Sequence, residues 1–179
     1  GRSVFDSETM RPLLEVLRGF AKPGLERELR IVTDHLRAAC FLISDGVGPS
    51  NKDQGYVLRR LLRRCILLAR QLELPGDWFV HAVKSVPPMY DGQYPELDAA
   101  RVIEVIDDEA KKFERTLTHG LRELEKRRSL DGKVAFDLFQ TWGFPIELTR
   151  ELARAAGKPL DEAGFFAELQ AHRARSRSS

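Results

Sequence analysis

Apolar residues recur at three- and four-residue intervals along nearly the whole chain, as in Leu13, Leu14 and Leu17 and then Leu29, Val32, Leu36, Ala39, Phe41 and Ile43. That spacing keeps one face of a helix apolar, whereas a half-buried strand needs strict alternation. Prolines punctuate the periodic stretches at Pro23, Pro49, Pro75, Pro87-Pro88, Pro95, Pro145 and Pro159, where a missing N–H and a fixed φ stop or start a helix. The pattern predicts an all-α chain, a helical bundle with helices over 8–19, 24–44, 53–73, 76–86, 95–127, 133–141, 145–156 and 160–175. No strand ladder is needed. Segment 95–127 is long and heavily charged, and its one apolar stripe, from Val102 through Ile106 and Phe113 to Leu124, marks it as a spine. The Asp131-Gly132 turn, within Arg127 to Lys133, is the expected boundary between an N-terminal helical bundle, 1–127, and a smaller C-terminal helical subdomain, 128–179. The basic tail from Arg173 to Ser179 has no apolar residue beyond Ala174 and is expected to fray.

Composition excludes several classes. A chain of 179 residues with 42% hydrophobic and 31% charged residues can bury a core, so disorder throughout is ruled out. A formal net charge of only +2 falls short of a chain that coats nucleic acid non-specifically, so any nucleic-acid surface must be local. Cys40 and Cys65 both sit in apolar helical patterns with no CxxC and no nearby histidine pair, which argues against a disulfide framework and against a zinc site. Reduced thiols and the lack of a secretory or membrane-spanning stretch fit a cytoplasmic protein. His35, His81, His119 and His172 lie tens of residues apart, and nothing around them resembles a nucleophilic or acid–base site, so no catalytic residue is expected.

The block from Asp34 to Arg64 carries the functional signal: two helical patterns joined by a polar turn, the second rich in arginine. Leu58, Leu61, Leu62, Cys65, Ile66, Leu68 and Leu72 face a core, while Arg59, Arg60, Arg63, Arg64 and Arg70 spread over the remaining surface. Arg59 with Arg63, and Arg60 with Arg64, stand one turn apart, a like-charge spacing that costs a few tenths of a kcal/mol unless anions lie nearby. RNA phosphates would answer that, and so would Asp107, Asp108 or Glu109 on the spine; both readings stay open. In the turn, Gly46 and Gly48 supply permissive backbone, and Ser50 with Asp53 is expected to form a capping box. Asn51 places an amide, with two donors and one acceptor, at the positive end of the basic helix, which suits reading a base edge beside a phosphate.

DHLRAACFLISDGVGPSNKDQGYVLRRLLRR resembles the tRNA-recognition block of the alanyl-tRNA synthetase family in order and spacing. Downstream, AFDLFQTWGFPIELT (Ala135 to Thr149) resembles that family's second signature, and Val4 to Leu17 resembles the segment after its catalytic core. The resemblance covers essentially the whole chain. It implies a helical middle region between a class II aminoacylation domain and an editing domain, and a fragment that grips the acceptor stem of alanine tRNA and detects its wobble G·U pair. It implies base recognition by Asn51, which matches the family's asparagine directly, and by a residue at Gln140, where the family usually carries an aspartate. Asp137 and Glu147 are the neighbouring carboxylates that would compensate. Arg59, Arg60, Arg63 and Arg64 are expected on phosphates. Trp142 and Phe144 are expected in structural roles. The resemblance further implies a parent alanine–tRNA ligase using ATP, Mg and an editing-domain Zn, with none of these cofactors held by this fragment, and neither DNA nor membrane as a partner. The alternatives are a free-standing helical RNA-binding module and a helical protein–protein adaptor.

Overall fold

The structure, a computed structural model, describes residues 4–90 and 92–177. Eight α-helices are present among them: α1 (Arg11–Arg18), α2 (Glu26–Ser44), α3 (Asp53–Gln71), α4 (Trp78–Lys84), α5 (Ala99–Lys126), α6 (Gly132–Trp142), α7 (Ile146–Ala155) and α8 (Glu162–Arg177). Each expected helix forms, trimmed at one or both ends in most cases. The all-α expectation holds, and the only strand-like pairing among the described residues is an isolated bridge between Leu130 and Leu160. The chain packs as two compact units, residues 1–111 and 112–179, which divide inside α5.

In the first unit, α2 and α3 form an antiparallel pair: Cys65 Sγ approaches the Val32 carbonyl at 3.8 Å, and one turn further along α2, His35 Nε2 lies 3.3 Å from Arg64 Nη1. Leu29, Val32, Leu36, Ala39, Cys40 and Ile43 of α2 meet Leu58, Leu62, Cys65, Leu68 and Leu72 of α3, and α1, α4 and the start of α5 close the core with Leu13, Leu17, Ala82, Val102 and Ile106. Area removed from water at about 25 cal/mol per Å² makes this the dominant stabilising term. Beside it Phe41, Tyr90 and Tyr94 pack edge to face with centroids 5.1–5.2 Å apart, and Arg37 Nε donates to the Tyr90 hydroxyl at 2.6 Å.

In the second unit α6 and α8 start side by side. The Leu130 N–H donates to the Pro159 carbonyl and the Asp161 N–H to the Leu130 carbonyl, both at 2.9 Å. Asp131 caps α6 by accepting from the Val134 N–H at 2.8 Å, and Asp161 accepts from the Gly164 N–H at 2.9 Å at the start of α8. Ala135, Phe136, Ile146 and Phe165 form the local core. α6 ends at Gly143, whose φ of 62° is left-handed, and the chain turns Phe144 inward, 1% exposed, onto Phe113 and Gly120. Residues 173–177, expected to fray, continue α8; Ser178 and Ser179 lie outside the described residues.

Candidate nucleic-acid interface

The loop from Asp45 to Lys52 leaves α2 through Gly46, whose φ is 93°, and then folds back on the first turn of α3. The Ser50 N–H donates to the Gly55 carbonyl at 3.0 Å. A Cβ at Gly55 would lie 2.2 Å from Ser50 Oγ and 2.6 Å from the Gly48 carbonyl oxygen, so the loop sits this close only because position 55 has no side chain. Sequence reading missed Gly55, since a glycine inside a helical pattern gives no hint of what approaches it.

The expected Ser50–Asp53 capping box does not form. The N-cap is Lys52, with no side-chain cap, and Ser50 Oγ instead donates to the Lys52 carbonyl at 3.0 Å. The fold-back explains this: it turns Ser50 toward Gly55, and Asp53 takes a φ of 48° that an aspartate tolerates better than most residues. Asn51 is left exposed. Its Oδ1 accepts from Arg59 Nη1, while Arg59 Nη2 reaches the Pro49 carbonyl at 3.4 Å.

The arginines of α3 divide in two. Arg63 was expected on the surface and is 6% exposed; its Nε donates at 2.6 Å to Oε1 of Glu109, itself 2% exposed. Arg59 Nε lies 3.7 Å from the same oxygen. The like-charge row Arg59–Arg63 is thus answered by a carboxylate inside the protein, because α3 buries a second stripe against α5. Arg60 and Arg64 are half-exposed, and Arg64 leans on His35, which in turn lies 3.3 Å from Asp34.

In the second unit, Asp137 and Gln140 are exposed on α6, one turn apart, and Glu147 is half-buried in the first turn of α7. Trp142, 39% exposed, stacks on His119 with centroids 3.8 Å apart and planes 22° from parallel. A shallow groove of about 280 Å³ runs past this pair, lined also by Glu123, Arg127, Val134, Asp137 and Leu138. His119 had no sequence signal beyond its identity. Phe144 has the structural role expected of it; Trp142 supports His119 but keeps a face in solvent.

Other chemistries find little support among the described residues. Burial pushes the Cys40 thiol up to about 12 and raises Cys65 as well, so neither is a thiolate at neutral pH. No group of three or more His, Cys, Asp or Glu is placed to hold a metal ion, and no helix is long and apolar enough to cross a membrane.

Residues 2–179 match the family of tRNA synthetases class II (A), and the chain belongs to that family. Within it the curated relatives point to the alanine branch. The chain is similar to the alanine–tRNA ligase of Treponema pallidum (strain Nichols), at 40% identity over 195 residues that cover 98% of this chain and 32% of the relative. It is similar also to that of Desulforudis audaxviator (strain MP104C), at 39% over 192 residues covering 98% and 22%, and to that of Dichelobacter nodosus (strain VCS1703A), at 41% over 162 residues covering 86% and 19%. The chain therefore spans between about a fifth and a third of the length of these relatives.

Proposed function

We propose that this segment grips the acceptor stem of alanine tRNA in the cytoplasm and reads its wobble G·U pair from the minor groove, allowing the full-length ligase to attach alanine with ATP and Mg. An A-form minor groove is wide and shallow enough to admit side chains, and a wobble pair leaves the guanine amino group without its usual partner. The observation that carries the reading is the exposed amide of Asn51, held at the start of a basic helix by Arg59. Gln140, exposed on α6, offers a second amide. Arg60 and Arg64, half-exposed on α3, are the cations that supply position and affinity through phosphates without sequence information. Arg63 is committed to Glu109 and has no part in this.

Replacing Asn51 by Ala is expected to weaken binding of alanine tRNA by about 1–2 kcal/mol through a lost polar contact. Binding of the same tRNA with its G·U pair changed to G·C should barely move, as read by titration at one stated salt concentration. Equal losses for both RNAs would remove Asn51 from pair reading. Gln140→Asp is expected to raise preference for the G·U tRNA, because a carboxylate accepts from the guanine amino group with a charge-assisted bond stronger by about 1 kcal/mol. Unchanged preference would shift the second contact to Asp137 or Glu147.

A further inference from the structure

The groove in the second unit has a chemistry that the reading of a wobble pair does not use. His119, Glu123 and Arg127 stand one helical turn apart and form the wall given by α5 and the residue that follows it; Asp137, Leu138 and Trp142 of α6 form the other. Leu138, 4% exposed, makes an apolar floor. The His119 ring covers one indole face of Trp142, so the part of Trp142 that stays exposed lies on its other face and its edge. An open aromatic face of this kind stacks a planar ring, and every nucleobase has one.

The charged groups around that face narrow the ligand. Glu123 is engaged within the protein, accepting from Lys126 Nζ at 3.0 Å and from Arg127 Nη2 at 2.9 Å; these bonds hold its carboxyl below the usual carboxylate range. Arg127 keeps its remaining N–H groups for an anion, and the exposed Asp137 carboxylate bonds to none of the described residues. A bare anion would be repelled by Asp137 and a bare cation by Lys126 and Arg127. No group of three or more His, Cys, Asp or Glu among the described residues is placed for a metal ion. A flat ring with N–H donors on one edge and a phosphate beyond it suits the stack, the carboxylate and the guanidinium together. We propose that the groove binds one unpaired guanine nucleotide: its base on the open face of Trp142, its N1–H and N2–H donating to the two oxygens of Asp137, and its phosphate on Arg127. Guanine is the base with two neighbouring N–H groups that match both oxygens of one carboxylate, and such charge-assisted pairs are the strong ones. In a duplex the guanine face is stacked and its N1–H is already bonded, in a wobble pair to uracil, so the nucleotide bound here lies outside the pair. The same base can come from a free nucleotide or from single-stranded RNA.

The test is a calorimetric titration of the 179-residue chain with GMP, AMP and UMP, run beside indole fluorescence. Trp78, 6% exposed, gives a constant background, so quenching reports on Trp142. GMP is expected to quench saturably and to bind about tenfold more tightly than AMP or UMP. Asp137→Asn should weaken GMP by about tenfold and leave AMP unchanged, and Trp142→Ala should weaken all three nucleotides by about tenfold. Both side chains are exposed, and each variant is first checked for wild-type circular dichroism. A short oligouridine strand with one central guanosine separates the two sources. Binding about tenfold tighter than GMP and weakened by salt assigns the guanine to single-stranded RNA; binding no tighter than GMP assigns it to a free nucleotide. Absence of saturation by GMP and by that strand at millimolar concentration would overturn the proposal. So would equal affinities for GMP, AMP and UMP, or an Asp137→Asn chain that binds GMP like the wild type.

Discussion

Glu109→Ala is expected to destabilise the first unit by about 3–5 kcal/mol, the cost of leaving a buried charge without its partner. Arg63 is 6% exposed and bonded to the Glu109 carboxylate at 2.6 Å. Removing that carboxylate takes away the acceptor to which the buried Arg63 Nε donates. A small domain has about 5–15 kcal/mol in all, so the variant should unfold at markedly lower urea or temperature. The exposed pair of Asp107 and Lys111 on the same helix gives the contrast. Asp107→Ala should leave the unfolding midpoint close to that of the wild type, because an ion pair in solvent is screened and costs side-chain entropy. Replacing Arg63 by Met and Glu109 by Leu together should recover part of the loss, since well-packed apolar residues often substitute for a buried pair. A Glu109→Ala chain that melts with the wild type would show that Arg63 finds solvent and that the pair is not structural.

The second large effect is expected at Gly132→Ala. A Cβ there would lie 2.2 Å from the carbonyl carbon of Gly164, 2.4 Å from its Cα and 2.4 Å from the Phe165 nitrogen. These are backbone atoms, which have no rotamer to yield. α6 and α8 must separate, opening the core of Ala135, Phe136, Ile146 and Phe165, at an expected cost of about 3 kcal/mol, the upper end for overpacking. Hydrogen exchange should show lost protection across α6 and α8. Gly48→Ala serves as the control, because a Cβ at Gly48 meets nothing within 4 Å. Native-like protection of α6 and α8 in Gly132→Ala would mean that the helices do not approach this closely.

The helices were legible in the sequence because each buries one broad face, and a single 3.6-residue stripe with a proline at its border states that directly. α3 shows where this stops. Leu58, Leu62, Cys65, Leu68 and Leu72 form the stripe that periodicity finds. Arg59, Arg63 and Leu67 form a second one, four residues apart, with Arg63 and Leu67 buried. A polar residue on a second buried face looks, in sequence, like one in solvent, and only its distant partner Glu109 distinguishes them. The failed capping box has a similar cause: Ser50 and Asp53 have the right spacing, but the contact with Gly55 turns the loop another way. The helical tail to Arg177 shows that charge and lack of apolar residues do not end a helix by themselves. Of the candidate interface, Asn51, Arg60, Arg64 and Gln140 were visible as residues. What could not be read was which arginines face inward, because that depends on a contact made 46 positions away.

Whether this segment distinguishes a wobble pair is decided by one titration: the 179-residue chain against alanine tRNA and against the same tRNA with G·U changed to G·C, at one fixed salt concentration. A segment that reads the pair binds the G·U tRNA more tightly by about tenfold, or about 1.4 kcal/mol. Equal affinities would contradict it.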